Sequence, residues 1–429
     1  MMFVLLALVA LLLLIGVPLG YMLGIVSAVG LLDMGGWPFL RIVATRFYSG
    51  AEDFLLIAIP FFILASELMN RSGMTERLIR FVDVLIGHVR GGLSHVNVGA
   101  SILFAGMTGA AVTDTVALGN ILIPSMKQQG YGAAYSAAVT AASSIVGPII
   151  PPSITMIVYA HITGLSVGSL FAAGFFPGLL MGVLLLVAGG IIAIRRDYPR
   201  REKRASLGEI VLATRDALLS LIIPIIILGS VLTGIATVTE SAAVAAGYAF
   251  FVGMFVLRTL RWRDLIPAAI NTACLSGVIF LLLVTAHTFG WYITKMGAPV
   301  VVTRLILSIS SQPVIILLLI NLFLLLIGMF MDILPAVLIL APVLAPAMVK
   351  VGLDPLHFAL IMLVNLNIGM ITPPYGMTLL TASRIARIDY EQAIVEVLPF
   401  LVAELATLLL VTYIPSVALY LPTLLGFHQ

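Results

Sequence analysis

Two short stretches of the sequence decide the fold: GPIIPP at residues 147–152 and GMITPP at residues 369–374. Each stretch places a glycine and two successive prolines inside a long apolar run. Proline removes a helix hydrogen bond and clashes with the preceding turn, so each stretch predicts a helix that is broken within an apolar segment. The backbone groups that such a break exposes must be satisfied inside the membrane.

The two stretches belong to an internal repeat with a constant offset of 222 residues. The offset follows from 328 − 106 = 222, which aligns Gly106-Met107 with Gly328-Met329 and continues without gaps to Pro152 and Pro374. Leucine matches carry little weight in apolar sequence, but matched glycines and prolines do. Paired helices interrupted by Gly and Pro in the two halves of a chain point to a transporter site near the bilayer midplane. The other matched pairs are Leu118 with Leu340, Pro124 with Pro346, Met126 with Met348 and Gly130 with Gly352.

The composition places this repeat in a lipid bilayer. Of the 429 residues, 61% are apolar and 10% are charged, whereas about a quarter are charged in an ordinary soluble domain. With a mean hydropathy of +1.19, these values exclude a soluble globular protein. The net charge of +3 lies in short basic loops and argues against a nucleic-acid partner. The single cysteine, Cys274, permits no internal disulfide and no cysteine-based metal site.

Twelve apolar runs predict an all-α polytopic membrane protein with about ten or more crossings. The first two runs are either one span or two, because Gly16 and Pro18 lie between them. The runs 93–126 and 314–348 are too long for one crossing and have interrupted middles, so they predict two re-entrant hairpins. The runs cover residues 2–15, 17–32, 54–69, 93–126, 133–162, 169–194, 217–235, 241–257, 265–290, 314–348, 355–383 and 393–413.

These runs predict an inverted repeat with four segments. Residues 1–92 form scaffold spans and a first arm helix, and residues 93–204 form the first half of a transport domain with a hairpin, a broken helix and a span. Residues 205–312 form further scaffold spans and a second arm helix, and residues 313–429 form the second half of the transport domain. The arms are predicted within residues 70–92 and 291–309, where they either brace the hairpins or lie passively on the membrane surface.

Basic residues support opposite orientations of the two halves, because cytoplasmic loops hold an excess of Lys and Arg. With two spans before Asp33 and the N-terminus outside, 17 of the 22 basic residues are cytoplasmic. The outer five are Arg41, Arg46, Lys295, Arg304 and Lys350, of which Arg41 and Arg46 fit the rule least. The cytoplasmic set is Arg71, Arg77, Arg80, Arg90, Lys127, Arg195, Arg196, Arg200, Arg201, Lys203, Arg204, Arg215, Arg258, Arg261, Arg263, Arg384 and Arg387.

The hairpin turns and helix breaks supply the candidate binding groups. Their carbonyls and hydroxyls suit a hard cation such as sodium, and their helix N-termini suit an anionic carboxylate. The alternative is that these glycines and prolines only kink packed helices. Asp114 and Asp332 are ionisable groups within apolar runs, so each is a candidate cation ligand, proton carrier or local cap. The remaining candidates are Thr108, Gly109, Thr113 and residues 147–153, then Gly328, Pro335, Gly369, Thr372, Pro373, Pro374 and Gly376.

Other motifs favour structural roles or exclude whole classes of protein. Thr237 and Glu240 have the spacing of a capping box, and Glu67 lies near a span end, where it reaches water or pairs with an arginine. His161 and His287 have no partner at metal-ligand spacing. The sequence has no phosphate-binding G-x-x-x-x-G-K-[ST] loop, zinc helix or G-x-S-x-G nucleophile elbow. We therefore expect no enzyme activity. We also expect that the protein draws its energy from an ion gradient or from a partner.

Together these motifs resemble the large membrane subunit of tripartite ATP-independent periplasmic (TRAP) transporters over almost the whole chain. The resemblance implies a multi-pass protein of the bacterial inner membrane that imports an organic acid, such as a C4-dicarboxylate or a sialic acid, together with sodium by an elevator movement. It also implies two partners, a small membrane subunit and a periplasmic substrate-binding protein. The residues that carry it are 59–65 (IPFFILA), 91–93 (GGL), 104–106 (FAG), 147–153, 170–174 (LFAAG), 239–243 (TESAA) and 371–374 (ITPP).

Carried over by position, the resemblance implies two sodium sites and one substrate site. The first sodium site would use Thr108, Gly147 and Ile149, and the second would use Gly328, Asp332, Gly369 and Thr372. The substrate would lie between Thr108, Gly109, Pro151, Pro152, Thr372 and Pro373. The sequence departs from the usual family hairpin, S-G-S followed by a small residue, because it has no hydroxyl at Ala110.

Three alternatives stay open from the sequence. A channel needs a continuous polar pore, and a membrane-embedded enzyme needs clustered acid, base or metal groups. A single-component sodium-coupled dicarboxylate or anion permease of the same broad architecture needs no binding protein.

Overall fold

The computed structural model of the chain describes residues 7–9, 11–12, 14–200 and 204–427, with the side chains of residues 106–108 excepted. Within these ranges every regular element is helical. Among the described residues, eight helices are long and apolar enough to cross a membrane, and five shorter apolar helices accompany them. The prediction of an all-α polytopic protein is confirmed.

The first half of the described chain contains nine α-helices. Two short 3-10 segments, Trp37–Phe39 and Phe54–Ile57, precede the second and third of them. The helices are α1 (Leu19–Gly35), α2 (Leu40–Ala51), α3 (Ala58–Arg71), α4 (Met74–Ile86), α5 (Gly92–Thr108), α6 (Ala111–Gln128), α7 (Ala133–Ser144), α8 (Ile154–Thr163) and α9 (Val167–Arg195).

The second half contains ten α-helices and one π-helical turn, Val252–Val256. The capping box predicted from Thr237 and Glu240 is present at the start of its second helix. The helices are α10 (Leu207–Leu232), α11 (Val238–Phe251), α12 (Trp262–Lys295), α13 (Ala298–Ile309), α14 (Pro313–Phe330), α15 (Ile333–Lys350), α16 (Pro355–Gly369), α17 (Met377–Ala386), α18 (Tyr390–Tyr413) and α19 (Ser416–Leu424).

The sequence repeat is also the repeat of the fold. Helices α5 and α6 form the first hairpin, and adding 222 to their bounds gives 314–330 and 333–350, which match α14 and α15 closely. The same offset carries the broken helix α7–α8 to 355–366 and 376–385, where α16 and α17 lie. Both predicted hairpins and both predicted breaks are therefore confirmed at corresponding positions.

At the scaffold the structure answers one open question and changes one detail of the prediction. The chain turns between Gly16, whose φ is +77°, and Pro18, so α1 starts as a separate helix at Leu19. The second arm starts at Ala298 instead of residue 291, because α12 continues to Lys295. Close packing on α1 holds this continuation in place. Tyr292 of α12 lies so near Gly30 of α1 that a Cβ atom added at Gly30 would be 2.7 Å from the Tyr292 hydroxyl.

Each hairpin is tied to its broken helix by buried amide groups. In the first half the Asn97 amide donates to the Thr140 hydroxyl at 2.6 Å, and the Ser143 hydroxyl donates to the Asn97 Oδ1 at 3.1 Å. In the second half the Asn365 amide donates to the Asn321 Oδ1 at 2.9 Å. Ser143 and Asn365 occupy the same place in the repeat, since 143 + 222 = 365. Buried hydrogen bonds between helices hold each hairpin to its broken helix. The boundaries of the four predicted segments stay a prediction.

Two basic residues predicted to be cytoplasmic join the two halves of the chain at the end of the structure where helices α6 and α9 finish. Arg196 pairs with Glu396 at 2.7 Å, and the Lys127 ammonium donates to the Ala386 carbonyl at 3.0 Å. At the other end, the Arg46 guanidinium and the Lys295 ammonium lie 5.2 Å and 5.8 Å from the centroid of the Trp291 ring. Two members of the predicted cytoplasmic set lie outside the described residues: Arg201 and Lys203.

Candidate transport site

A cavity of about 590 Å³ lies between the two hairpin tips and the scaffold helices α3 and α12. We call it the hairpin cavity. The first tip contributes residues 109–113, the second contributes residues 332–335, and α8 contributes Ile154 and Thr155. The scaffold side is formed by parts of α3 and by residues of α12 between Asn271 and Leu282. The fold therefore brings both predicted hairpin turns to one space.

The hairpin cavity extends towards the end of the molecule that was predicted to be cytoplasmic. It shares Glu67, Asn70 and Thr113 with an adjoining space of about 420 Å³. That space reaches Thr75 and Glu76 in the first turn of the arm helix α4. The arm helix thus lies beside the entrance to the hairpin cavity.

The first hairpin tip rests directly on the first helix break. Gly109 ends α5 in the left-handed conformation with φ +60°. A Cβ atom at this position would lie 2.8 Å from the Ile154 nitrogen and 3.0 Å from the Ser153 Cα. Only glycine combines this backbone conformation with so close an approach. The Thr108 side chain lies outside the described part of the structure.

The first break is fully buried, and two of its carbonyl oxygens have no donor among the described residues. All residues from 145 to 153 are buried, and the Ser153 hydroxyl donates to the Pro148 carbonyl at 2.6 Å while it caps α8. Within the described residues, no hydrogen bond reaches the carbonyl oxygens of Gly147 or Ile149. Buried carbonyls of this kind are suited to a hard cation.

The Asp114 carboxylate lies against the same break. Asp114 is 0% exposed, and a Cβ atom added at Gly147 would overlap its Oδ2. Glycine is therefore needed at 147 to admit the carboxylate against the break. The carboxylate and carbonyl oxygens of the described residues fit sodium, because hard cations prefer such oxygen ligands.

The second tip and break meet through glycine backbones. A Cβ atom at Gly369 would overlap the Gly328 backbone, and one at Gly328 would lie 2.8 Å from the Leu366 carbonyl oxygen. The Thr372 hydroxyl donates to the Ile368 carbonyl at 2.7 Å, which leaves its lone pairs free to accept. The oxygen groups of this break suit sodium in the same way as those of the first.

Asp332 has a local role and also faces the hairpin cavity. Its Oδ1 accepts a hydrogen bond from the Ile333 nitrogen at 2.7 Å, so it caps α15. The predicted capping role is therefore present, and the carboxylate also lies in the cavity wall. Of the other predicted residues, Gly109 lines the cavity, and the Pro152 carbonyl lies directly behind it. The cavity wall does not include eight predicted site residues of the described chain: Gly147, Ile149, Pro151, Pro152, Gly328, Gly369, Thr372 and Pro373.

The polar scaffold side of the hairpin cavity was not predicted. The Asn271 amide donates to the Glu67 Oε1 at 2.6 Å, and Arg71 lies 3.4 Å from the same oxygen. The expected pairing of Glu67 with an arginine is present, but Glu67 also lines the cavity. The sequence signal for this role was that Asn271 is the single asparagine in the apolar run 265–290.

A second cavity, of about 690 Å³, lies at the other ends of the same helices. Helices α8, α12 and α15 present residues 154–155, 271–282 and 333–335 to the hairpin cavity. Their later residues 159–163, 286–294 and 341–350 contribute to the second cavity. We call this second space the basic cavity, because its wall includes Arg46, His161, His287 and Lys350. A packed layer within these helices separates the two cavities.

Two hairpins and two broken helices in opposite halves, around a cavity between them, define an inverted-repeat membrane transporter. More specifically, the chain belongs to the DctM component family of tripartite ATP-independent periplasmic transporters, whose family model matches residues 6–417. The resemblance found in the sequence is confirmed.

Named relatives and one solved structure agree with this assignment. The sialic acid TRAP transporter large permease protein SiaM of Vibrio cholerae is 39% identical to this chain, over an alignment that covers 96% of this chain and 97% of that protein. The C4-dicarboxylate TRAP transporter large permease protein DctM of Pseudomonas aeruginosa is 38% identical over 90% of each chain. The YdaH transporter of Alcanivorax borkumensis shares the fold, with a TM-score of 0.63 at 17% identity over 93% of this chain and 90% of that one.

Proposed function

We propose that this chain imports a carboxylate-bearing organic acid across the bacterial inner membrane together with sodium. The substrate class includes C4-dicarboxylates, sialic acids and related carboxylates, which are named for relatives at 38% and 39% identity. The observation that carries the sodium proposal is the buried first break, where the Asp114 carboxylate lies against Gly147 and no hydrogen bond among the described residues reaches the carbonyls of Gly147 and Ile149.

The charge of the hairpin cavity supports coupling between the two solutes. Glu67 and Asp332 line this cavity, and its wall contains no Lys, Arg or His among the described residues. An anion that enters such a space meets two carboxylates and gains little without a cation. Sodium held at the hairpin breaks would supply the compensating positive charge. The volume of about 590 Å³ accommodates a small organic acid.

The packing of the hairpins supports an elevator movement of the hairpins and broken helices against the scaffold. Each hairpin is hydrogen-bonded to its own broken helix, and Lys127 of the first hairpin donates to the Ala386 carbonyl of the second broken helix, so the four pieces are able to move as a unit. Scaffold helices α3 and α12 form the facing wall of the cavity. By membership of its family, we expect the chain to work with a small membrane subunit and a periplasmic substrate-binding protein.

The test is uptake of labelled organic acids into proteoliposomes that contain the chain and its small partner subunit. The panel includes succinate as a C4-dicarboxylate and N-acetylneuraminate as a sialic acid. We expect transport that needs both an inward sodium gradient and the binding protein. Sodium-driven transport without the binding protein would favour the single-component permease, and transport without a sodium gradient would contradict the coupling proposal.

A further inference from the structure

The basic cavity has a wall whose charge is opposite to that of the hairpin cavity. Arg46 reaches it from α2, His161 from α8, His287 from α12 and Lys350 from α15. Among the described residues, no Asp or Glu lines this wall. The four side chains come from scaffold and transport elements alike, so the cavity is a shared space between them.

The carboxylate beside His161 is engaged by two partners. One oxygen of Asp53 accepts from the Leu55 nitrogen at 2.9 Å, and the other lies 2.6 Å from the His161 Nδ1. This contact orients the His161 ring and leaves its second nitrogen, Nε2, available to a ligand. Its ring lies 6.1 Å from the ring of His287, centroid to centroid.

A buried donor without a partner points to a ligand in this cavity. Tyr159 is 0% exposed and lines the cavity. Within the described residues its hydroxyl has no hydrogen-bond partner. An unsatisfied buried hydroxyl is costly, and a phenol O–H is a good donor to a carboxylate oxygen.

Trp291 holds two cations at the edge of the same space. The Arg46 guanidinium lies over its ring at 5.2 Å from the centroid, and the Lys295 ammonium lies at 5.8 Å. Arg46 is one of the two basic residues that fit the positive-inside rule least. A functional demand for positive charge at this end of the membrane explains its position.

We propose that the basic cavity is a second binding site for a carboxylate anion, on the face opposite the entrance of the hairpin cavity. Arg46 and Lys350 supply charge, the Tyr159 hydroxyl donates to the carboxylate, and His161 and His287 complete the polar wall. The identity of the anion rests on the proposed function: it is the transported organic acid on its outer side, before it reaches the hairpins. Electropositive clefts raise the local concentration of an anionic substrate.

Direct binding is measurable because Trp291 is one of three tryptophans. The variant Trp37→Phe/Trp262→Phe leaves Trp291 as the single reporter in the full chain, reconstituted in phosphatidylcholine nanodiscs. We expect a saturable fluorescence change with succinate or N-acetylneuraminate, and a midpoint at least fivefold higher after Arg46→Gln. A fluorescence change that does not saturate, or a midpoint unchanged by Arg46→Gln, overturns the proposal. Phosphatidylglycerol added to the nanodiscs is the lipid control. If it quenches Trp291 fluorescence and neither acid reverses the quenching, the site belongs to a lipid headgroup and the proposal is overturned.

Transport gives the second readout. Arg46→Gln and Tyr159→Phe should each raise the half-saturating outer concentration of the acid at least fivefold, with the sodium dependence unchanged. Arg41→Gln is the matched control, because Arg41 is an exposed arginine of the same helix outside the cavity wall. Lys350→Gln, at an exposed position, carries little risk to folding and should act in the same direction.

The two proposals fail in different ways. If the parent chain and its partners transport none of the acids but Trp291 still reports saturable binding, the proposed function fails and the site stands. If transport is sodium-dependent but equal in parent, Arg46→Gln and Tyr159→Phe, the second site fails and the function stands.

Discussion

The two cavities have similar volumes, but the charged residues of their walls have opposite sign. The hairpin cavity, with about 590 Å³, is lined by Glu67 and Asp332, whereas the basic cavity, with about 690 Å³, is lined by Arg46 and Lys350. Helices α8, α12 and α15 contribute to both. An anion would therefore be attracted at one end of these helices and would need a compensating cation at the other.

This difference separates two measurable properties. Changes behind the hairpin cavity should alter sodium-dependent uptake and leave carboxylate binding at Trp291 unchanged. Changes in the basic cavity should weaken carboxylate binding at Trp291 and raise the acid concentration for half-maximal uptake, and they should leave the sodium dependence of uptake unchanged. The variants below change residues of the hairpins, their breaks or the hairpin cavity, so a shift in carboxylate binding at Trp291 in any of them would contradict the division between the cavities.

The largest effect is expected for Gly147→Ala. The added methyl group would overlap the Asp114 Oδ2, so the break or the carboxylate must shift. Overpacking costs about 1–3 kcal/mol, which corresponds to a loss of about fivefold to about a hundredfold in sodium-dependent uptake. Gly229→Ala is the control, because a Cβ atom there has no neighbour within 4 Å. Uptake by Gly147→Ala equal to that of the control would remove the first break from the sodium site.

Asp332 should give the next largest effect, because its carboxylate both caps α15 and faces the hairpin cavity. Asp332→Ala removes both roles, whereas Asn is as good a helix cap as Asp but carries no charge. If the charge serves transport, Asp332→Asn lowers sodium-dependent uptake by about tenfold, the effect of about 1.4 kcal/mol. Uptake is measured at several sodium concentrations after the insertion of each variant is checked. Full activity of Asp332→Asn with loss in Asp332→Ala would leave capping as its only role.

These elements also show why the sequence predicted the hairpins so closely. The positions of both hairpins follow from glycine and proline, whose backbone constraints act locally and leave a signal in the chain itself. The matched offset then placed the second hairpin from the first. The packing of Gly328 on Gly369 involves residues 41 positions apart, since 369 − 328 = 41, yet each glycine was visible as part of the repeat.

The cavity walls were harder to predict because they depend on contacts between distant elements. Glu67 and Asn271 are 204 positions apart, and neither has a motif that indicates a shared hydrogen bond. Tyr159 and Arg46 likewise meet at the basic cavity only through the packing of α2 near α8 and α12. A single sequence shows that Arg46 lies on an unusual side of the membrane, but not what surrounds it.

Thr372 should have an intermediate effect. Its hydroxyl donates to the Ile368 carbonyl and keeps lone pairs available for sodium. Thr372→Ala removes that ligand oxygen, so we expect an increase of about fivefold in the sodium concentration for half-maximal uptake, close to 1 kcal/mol. Thr372→Ser retains the hydroxyl and serves as the control. Equal sodium dependence in the alanine and serine variants would exclude the hydroxyl as a ligand.

The smallest effect is expected for Glu67→Gln, which tests whether the negative wall of the hairpin cavity sets the need for sodium. Glu67 is already compensated by Arg71 at 3.4 Å and by the Asn271 amide at 2.6 Å. Partly exposed ion pairs contribute about 0.2–1 kcal/mol, so removing this charge should lower the sodium requirement by about twofold. Asn271→Leu leaves the Glu67 charge less compensated and should shift the requirement the other way. Shifts of the same sign in both variants would show that packing, and not charge, governs this side of the cavity.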